Sequence, residues 1–258
     1  MTKIIAITNQ KGGVGKTTTT INLAASFHAL KRRVLLIDFD PQGNATTGSG
    51  INKEKIALSI SDVLINHEPI DKIIIKTSAG YDLLPANSTL TSAELQLLKL
   101  EKREYFLRDA LSTIQHNYDF IFIDCPPALN ILTVNALVAA NSVLIPMQCE
   151  YYSLEGLAAL LKTIEQLQST VNSQLQIEGL LRTMFDGRNR LTQEVSEQLL
   201  AHFPNKVYQT VIPRNVRLAE APSHGLPALL YDNTSPGAIA YLTLAGEMNK
   251  AIKNDLVA

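Results

Sequence analysis

The chain has 258 residues and a formal net charge of −1, so its overall charge does not indicate a nucleic-acid partner. No apolar run approaches the roughly 18–20 residues of a membrane-spanning helix, and the two cysteines lack the spacing of a zinc site. We expect one α/β domain, residues 1–258, without a signal peptide, because the first apolar run begins almost at the N-terminus.

The first predicted elements are a buried strand at residues 3–8 and a helix whose apolar positions begin at Ile21. Between them lie three glycines that leave room for backbone to wrap closely around a bulky anion: Gly12, Gly13 and Gly15. Strand, glycine loop and helix together predict a phosphate cradle, in which backbone N–H groups and the positive end of the helix face the phosphates. Lys16 is then expected to neutralise the terminal phosphates, and the Thr17 hydroxyl to bind Mg²⁺.

The loop departs from the common pattern G-x-x-x-x-G-K-[ST], because Gln10 stands at the first glycine position. A second lysine, Lys11, opens the loop instead. Lys11 is poorly placed to point into its own cradle beside Lys16, so we expect it to serve another nucleotide. The alternative, a glycine turn with two surface lysines, does not explain why strand, glycines, Lys-Thr and helix occur together.

Strands and helices alternate along the rest of the chain. Apolar runs predict further strands at residues 34–37, 73–75, 81–84, 119–123, 142–147, 177–184 and 207–212. Helical spacing and capping residues predict helices at residues 59–65, 89–100, 103–114, 132–140, 154–167, 192–202 and 237–253. Residues 45–56 are expected to be mobile. This alternation predicts a doubly wound, mostly parallel sheet with helices on both faces.

Polar residues that suit a ligand site follow the predicted strands. They are Lys11, Asp40, Asp124, Glu150, Asp186 and Pro213. Because ligands bind beyond the carboxyl ends of the strands in such sheets, we expect these residues at one edge. Asp124 follows an apolar strand, as does the carboxylate that holds Mg²⁺ in P-loop proteins. Asp38 and Asp40 are one residue apart, so one side chain can face a metal while the other faces the attacking water.

Five stretches resemble a known family of ATPases. They are KGGVGKTT (11–18), DFDPQGN (38–44), FIDCPP (122–127), QCEYYSLEGL (148–157) and VIPRNVRLAEAPSHG (211–225). The first is similar to the deviant Walker A loop of the ParA/MinD ATPases, and the later stretches look most like the short chromosomal ParA proteins of the Soj type. The resemblance covers nearly the whole chain and implies a P-loop NTPase-like fold, with ATP and Mg²⁺ as cofactors.

The resemblance also implies roles for individual residues. Lys11, Lys16 and Asp40 are the expected catalytic residues; Lys11 reaches across a dimer to the partner's ATP, and Asp40 positions the water. The expected nucleotide-binding residues are Asn9, Lys11, Gly12, Gly13, Val14, Gly15, Lys16, Thr17, Thr18, Pro213, Arg214 and Asn215, of which the last three lie beside the adenine. The expected Mg²⁺ site consists of Thr17, Asp38 and Asp124. For Asn9, a purely structural role is the alternative.

Two arginines, Arg188 and Arg217, match positions that bind DNA in Soj-like proteins. They lie in a locally basic region that begins at Arg182. The alternative is that they are solvated surface arginines. Tyr151 and Tyr152 are expected in core or interface packing rather than stacked on a base.

The resemblance implies an ATP-dependent homodimer that binds DNA without sequence preference and whose hydrolysis a ParB-like partner stimulates. Such a protein is expected in the cytoplasm, associated with the nucleoid, where it drives chromosome or plasmid partitioning. One alternative is a ParA-like ATPase that positions another cargo, such as a cellulose-synthesis or chemotaxis complex.

Two further alternatives have weaker support in the sequence. A MinD-like membrane switch would need a basic amphipathic C-terminal helix, and the tail EMNKAIKNDLVA has few basic residues, so no membrane partner is expected. A metabolic or iron–sulfur relative would need a substrate or cluster site, and the sequence offers Cys125 and Cys149 alone as cysteine ligands.

Overall fold

A sheet of seven strands forms the centre of the computed structural model, which describes residues 2–255. The strands are β1 (Lys3–Ile7), β2 (Val34–Asp38), β3 (Ile75–Lys76), β4 (Asp82–Leu84), β5 (Phe120–Asp124), β6 (Ser142–Gln148) and β7 (Gln176–Thr183). Their order across the sheet is β3-β4-β2-β5-β1-β6-β7. The β3–β4 pair at one edge is antiparallel, and the other pairs are parallel. The mostly parallel sheet predicted from the alternating pattern is confirmed.

Helices pack against both faces of this sheet. They are α1 (Lys16–Ala29), α2 (Asn44–Gly48), α3 (Ile60–Asn66), α4 (Thr89–Leu97), α5 (Phe106–Ser112), α6 (Ile131–Ala139), α7 (Ser153–Thr170), α8 (Arg190–His202), α9 (Val216–Glu220), α10 (Ala228–Tyr231) and α11 (Pro236–Asp255). Phe27 of α1 and Tyr241 of α11 belong to one hydrophobic core, whereas Leu132 of α6 and Leu160 of α7 belong to another.

The two cores lie on opposite faces because side chains alternate along a strand. In β1, Ile4 and Ala6 join one core, whereas Ile5 and Ile7 join the other. A strand that is buried on both faces needs apolar residues at every position. This is why the central strands appear in the sequence as continuous apolar runs, and it confirms the doubly wound arrangement.

The sheet brings the predicted acidic strand ends next to the glycine loop. Strand β1 lies between β5 and β6, Ile7 is in register with Asp124, and Asp124 is in register with Asp38 of β2. Because these strands are parallel, their carboxyl ends meet at one edge of the sheet. The loops that follow β1, β2 and β5 therefore open onto one site.

Residues 207–212 do not form the predicted strand. Val207 makes an isolated bridge to Leu180, and the Arg182 guanidinium donates to the carbonyl oxygens of Tyr208 and Gln209 at 2.8 and 3.2 Å. A buried side chain thus satisfies carbonyl groups that a strand would pair with neighbouring backbone. The apolar residues of this segment pack inward without continuing the sheet.

Residues 45–48 are helical, so the prediction of a mobile segment was wrong there. The Asp38 carboxylate accepts hydrogen bonds from the Thr46 N–H and hydroxyl, both at 2.7 Å. An acidic group that accepts from the first turn of a helix stabilises that turn. The end of β2 therefore holds the start of α2, a contact that the local sequence pattern does not reveal. Helices α9 and α10 were likewise not predicted.

Candidate functional site

The glycine loop between β1 and α1 is strongly curved. Gly13 and Gly15 have φ angles of +73° and +86°, in the left-handed region that favours glycine. No side chain caps the start of α1, so its first N–H groups remain available to a ligand. A helix N-terminus of this kind attracts anions, and the loop therefore has the geometry of a phosphate cradle.

Lys16 lies beneath this loop and is only 7% exposed. Its ammonium donates a hydrogen bond to the carbonyl oxygen of Lys11 at 3.0 Å. Burial lowers the pKa of Lys16, and the nearby Asp124 carboxylate opposes that change. A buried cation held at the loop by a neutral acceptor is well placed to neutralise an incoming phosphate.

Two fully buried carboxylates, Asp38 and Asp124, end the adjacent strands β2 and β5, and the charge of Asp124 acts on Lys16. Asp124 accepts hydrogen bonds from the hydroxyls of Thr17 at 2.7 Å and Thr20 at 3.0 Å. Burial raises the pKa of Asp38 to about 7. Burial, together with the charge of Asp38, raises the pKa of Asp124 to about 8. Both acids therefore hold their protons to a higher pH than usual, and the oxygens of Asp124 and Thr17 lie together at this point.

This donor set fits Mg²⁺. Magnesium prefers oxygen ligands and is commonly held by one or two carboxylates together with water and substrate phosphates. The described residues contain no group of three or more His, Cys, Asp or Glu side chains that could hold a metal by themselves. The Thr17 hydroxyl and the Asp124 carboxylate lie together, as expected from the sequence, whereas the Asp38 carboxylate points to Thr46.

Asp40 follows the buried Phe39 at the end of β2 and is partly exposed. Its carboxylate accepts from the Gln42 N–H at 2.9 Å, and its own N–H donates to Asp38 at 3.3 Å. Its charge acts on Lys16, so the carboxylate lies within electrostatic reach of the cradle. The Asp40 carboxylate therefore lies close enough to Lys16 for their charges to interact, and its bond to the Gln42 N–H is exposed.

The Lys11 side chain lies outside its own cradle. Its ammonium forms an ion pair with Glu150, while its carbonyl oxygen faces Lys16. Asn9 accepts from the Lys11 N–H at 3.0 Å and donates to the Pro146 carbonyl at 2.8 Å. In this structure the Asn9 side chain is thus occupied in tying the start of the loop to β6.

A cavity of about 170 Å³ adjoins the loop on the side of the predicted adenine segment. Its lining includes Gly15, Thr18, Thr183, Met184, Ile212, Pro213, Arg214, Asn215, Leu218 and Tyr241. The Asn215 side-chain oxygen is buried and has no hydrogen-bond partner among the described residues. An orphaned acceptor in a largely apolar pocket suits a flat base that offers an N–H donor.

Residues next to this machinery were missed by sequence reasoning. Thr20 lies one helical turn after Thr17 on the same face, so its spacing could have indicated its contact with Asp124. Thr46 and Thr183 gave no such local signal, because each reaches the site from another part of the chain.

The predicted DNA-contact arginines lie outside the nucleotide site. Arg188 is 91% exposed at its side chain and forms an ion pair with Asp186, while Arg217 is paired with Glu220 and Asp232. Arg182, which contributes to the locally basic sequence, is buried and bonded to Ser196, so it adds no positive charge to the surface. The surface around Arg188 and Arg217 is therefore less basic than the sequence indicates.

The paired tyrosines at the start of α7 do not belong to the core. Tyr151 and Tyr152 are both exposed, and their rings contact each other edge to face with centroids 5.3 Å apart. Core packing is thereby excluded for them. They stand beside Glu150 on the surface, next to the ion pair with Lys11.

Known proteins match nearly the whole chain. A family model described as an AAA domain matches residues 2–177. The sporulation initiation inhibitor protein Soj of Bacillus subtilis is 53% identical, over 96% of this chain and 98% of that protein. The chromosome partitioning protein ParA of Caulobacter vibrioides is 49% identical, over 95% of this chain and 93% of that protein. Among solved structures, the chain is similar to a cobyrinic acid a,c-diamide synthase of Mycobacterium smegmatis with bound ATP analog and magnesium. The TM-score is 0.86 and the sequence identity is 36%, over 98% of this chain and 96% of that chain.

The fold and the glycine loop define a P-loop nucleotide-binding protein of the ATPase class. The chain belongs to the ParA/MinD family of ATPases, and within it to the Soj type of ParA proteins. The resemblance that the motifs indicated is thereby confirmed. The solved neighbour with an ATP analog and magnesium supports a nucleotide and Mg²⁺ as the ligands of this fold.

Proposed function

We propose that this protein is an ATPase that dimerises with ATP, binds DNA non-specifically and moves chromosome or plasmid origins with a ParB-like partner. The observation that carries the proposal is the position of Lys11. Its ammonium lies outside its own cradle, whereas Lys16 alone enters it. A loop with one lysine inside its cradle and one at the surface suits a dimer in which the two nucleotide sites face each other. Each site is then completed by Lys11 of the other protomer.

Each protomer has its own means of holding ATP. The amides of the glycine loop and the Lys16 ammonium bind the phosphates, and the 213–215 segment holds the base against the orphaned Asn215 oxygen. Mg²⁺, held by Thr17 and Asp124, supplies positive charge to the phosphate oxygens when bound. Asp40 orients the attacking water by accepting a hydrogen bond from it.

In a dimer, the Lys11 ammonium must leave its ion pair with Glu150 and bind the phosphates of the ATP held by the partner. The pair is solvent-exposed on both sides, with side-chain exposures of 38% and 52%. Exposed ion pairs contribute about 0–1 kcal/mol, so breaking this one costs little. A triphosphate in the partner's site offers a stronger counter-charge, which makes pairing depend on ATP.

A comparison of four proteins tests this proposal. We expect wild type to become a dimer with ATP in light scattering, and Lys11→Ala to bind ATP in equilibrium binding but stay monomeric. Lys16→Ala should lose ATP binding altogether. Lys99→Ala removes an exposed lysine outside the site and should behave as wild type. An ATP-dependent dimer of Lys11→Ala would contradict the role of Lys11 across the interface, and near wild-type ATP affinity of Lys16→Ala would contradict the cradle.

DNA binding follows from doubling the exposed arginines. One protomer carries Arg188 and Arg217, and a dimer presents two of each. Phosphate contacts of this kind act on all sequences alike, since they read no base edges. If filter binding with ATP detects no DNA complex, the protein positions another cargo, which is the main alternative.

A membrane switch would be distinguished by vesicle pelleting with ATP. Within the described part of the chain, every helix is too short or too polar to cross a bilayer. The tail on which the MinD-like alternative depends extends to residues 256–258, which lie outside the described residues. ATP-dependent pelleting with anionic vesicles, without DNA binding, would favour the switch over partitioning.

A further inference from the structure

A single hydrogen bond joins the middle of the glycine loop to the end of β7. The Thr183 hydroxyl donates to the carbonyl oxygen of Val14 at 2.8 Å. Thr183 is 2% exposed, and 169 positions separate the two residues in the sequence. Its methyl group lies 3.9 Å from where a Cβ on Gly15 would stand. Thr183 therefore contacts the loop through a polar bond, and its methyl group lies on the Gly15 side of that bond.

This bond determines which way one peptide group of the cradle faces. A trans peptide is planar, so the carbonyl of Val14 and the N–H of Gly15 point in opposite directions. With the carbonyl directed to Thr183, the Gly15 N–H is directed away from β7. No acceptor among residues 2–255 takes this N–H. It is therefore available as a donor to a phosphate oxygen.

The loop itself resists a flip of this peptide only weakly. Glycines stand on both sides of Val14, and Gly13 and Gly15 have φ angles of +73° and +86°. Glycine adopts positive and negative φ about equally readily, so both orientations of the peptide are accessible to the chain. In the flipped orientation a carbonyl oxygen would face the phosphates and repel them.

Thr183 is itself rigidly placed. It is the last residue of β7 and is in register with Gln148 of β6. The next residue, Met184, has a φ of +49°, which is uncommon for a residue other than glycine and turns the chain away from the sheet. The Phe185 N–H then donates to the Ile212 carbonyl at 2.9 Å. The sheet thus holds the hydroxyl at a fixed distance from the loop.

We infer that Thr183 is a positioning residue for nucleotide binding, which holds the Val14–Gly15 peptide with its N–H toward the phosphates. This inference rests on the proposed function, since it assigns a purpose to the cradle. Thr183 acts through the loop and makes no bond to the nucleotide in this role. Its loss raises KM for ATP, whereas turnover at saturating ATP changes little, because bound ATP restores the same peptide orientation.

Two substitutions separate the hydroxyl from the methyl group. Thr183→Val removes the hydroxyl but keeps both branches, and Thr183→Ser keeps the hydroxyl but loses the methyl. We expect Thr183→Val to bind ATP and ADP about three- to tenfold more weakly, which is the effect of losing one hydrogen bond. KM should rise by the same factor, with kcat within about twofold of wild type. Thr183→Ser should restore both values.

A matched control tests whether the effect is one of general stability. Thr77 makes the same kind of bond far from the site, donating from a buried hydroxyl to the Tyr81 carbonyl at 2.7 Å. Thr77→Val should lower the thermal midpoint as Thr183→Val does, but leave ATP affinity unchanged. If Thr183→Val does not fold, Thr183→Ala removes the same hydroxyl and is compared with Thr183→Ser in its place.

Three results would overturn the inference while leaving the proposed function standing. They are wild-type ATP affinity in Thr183→Val, equally weak binding in Thr183→Ser, and an equal loss of affinity in Thr77→Val. Failure of the wild-type protein to bind ATP would instead overturn the proposed function, and this inference with it.

Discussion

At the scale of single residues, the centre of the site is a pair of buried acids on adjacent strands. Asp38 and Asp124 are in register and fully buried, and their pKa values are raised to about 7 and about 8. Each acid holds its proton to a higher pH in the folded chain than in the unfolded one. Their contribution to stability is therefore present below about pH 4 and is lost as the pH rises to about 8.

Asp124→Asn should flatten this pH dependence in protein free of nucleotide and magnesium. At pH 8 the variant is expected to melt above wild type, because it has no charge to bury, whereas near pH 4 the two should be similar. The difference should amount to a few kcal/mol, since the pKa of Asp124 is raised from 3.8 to about 8 and one pKa unit corresponds to about 1.4 kcal/mol. Thermal melts at both pH values measure it. Added Mg²⁺ and ATP should stabilise wild type and not the variant; a variant that melts lower at every pH would contradict the charge argument.

Asp40 should separate hydrolysis from binding. Its carboxylate bonds to the exposed Gln42 N–H, so removing it costs the fold little. Asp40→Ala is expected to bind ATP as wild type does but to hydrolyse it far more slowly, leaving the ATP-bound dimer on DNA. Phosphate release and filter binding are measured on the same preparation. Turnover at the wild-type rate would mean that another residue orients the water.

At the scale of elements, the glycine loop presents an open face to solvent. A Cβ built on Gly12 meets no atom within 4 Å, and its φ is not in the left-handed region. The protomer therefore tolerates a side chain there, in contrast to Gly13 with its φ of +73°. Any defect caused by a substitution at Gly12 must come from something that approaches the loop from outside.

Gly12→Val should accordingly bind ATP and fail to dimerise. A branched side chain at this position would clash with a second loop facing it across the interface. Equilibrium ATP binding and light scattering are the two measurements, and unchanged thermal stability of the nucleotide-free variant is the control. An ATP-dependent dimer of Gly12→Val would show that the two loops do not approach each other at this residue.

The segment at residues 207–212 is held by close packing against β7. A Cβ on Gly179 would lie 2.4 Å from the Tyr208 ring, and the Arg182 guanidinium bonds to the carbonyl oxygens of Tyr208 and Gln209. Arg182 is thereby turned inward, away from any surface that could meet DNA. The glycine in β7 and the buried arginine together determine the path of the chain that leads to the cavity lined by Pro213 and Asn215.

Gly179→Ala is expected to destabilise the protein by about 1–3 kcal/mol, because the tyrosine ring must move in a closely packed interior. Urea denaturation followed by circular dichroism measures the change. Gly246→Ala is the matched control: it lies within α11 with open space around its Cβ, so it should stabilise by about 0.5–1 kcal/mol. An unaltered midpoint in Gly179→Ala would mean that Tyr208 does not hold this segment.

At the scale of the whole molecule, DNA binding should depend on the dimer and on salt. If Arg188 and Arg217 each contact one phosphate, a dimer makes about four contacts, with a log–log salt slope of about −3.6. Both arginines are paired with acids in the protomer, at exposed sites where such pairs contribute little. DNA phosphates can therefore displace those acids at modest cost.

Arg217→Glu should weaken binding to all sequences alike and flatten the slope by about two per dimer. ATP binding should persist, since Arg217 does not line the nucleotide cavity. Arg108→Glu is the control, because it removes an exposed, ion-paired arginine from a different helix. Filter binding of random duplexes at several salt concentrations with ATP gives the slopes. An unchanged salt slope in Arg217→Glu would mean that DNA binds to another surface of the protein, or that the protein carries a cargo other than DNA.

The features that depend on local pattern could be predicted from the amino-acid sequence. Continuous apolar runs predicted the central strands, because strands buried on both faces admit few polar residues. The spacing of Gly12 to Thr17 predicted the loop and the start of α1, and the order of strands and helices predicted Asp40 and Asp124 at one edge of the sheet. The predictions of the strands and the loop hold because they depend on residues close together in the chain, and the edge prediction holds because parallel strands bring their carboxyl ends to the same edge.

Contacts between distant parts of the chain could be identified only in the folded protein. It turned Arg182 inward, left residues 207–212 without a strand, paired Lys11 with Glu150, and brought the Thr183 hydroxyl to the Val14 carbonyl. A hydrogen bond forms between groups that packing brings within about 3 Å of each other, and the local periodicity of a sequence does not predict that distance. The sequence therefore determined which residues could form a phosphate cradle, and the packing of β7 decided how its peptides face.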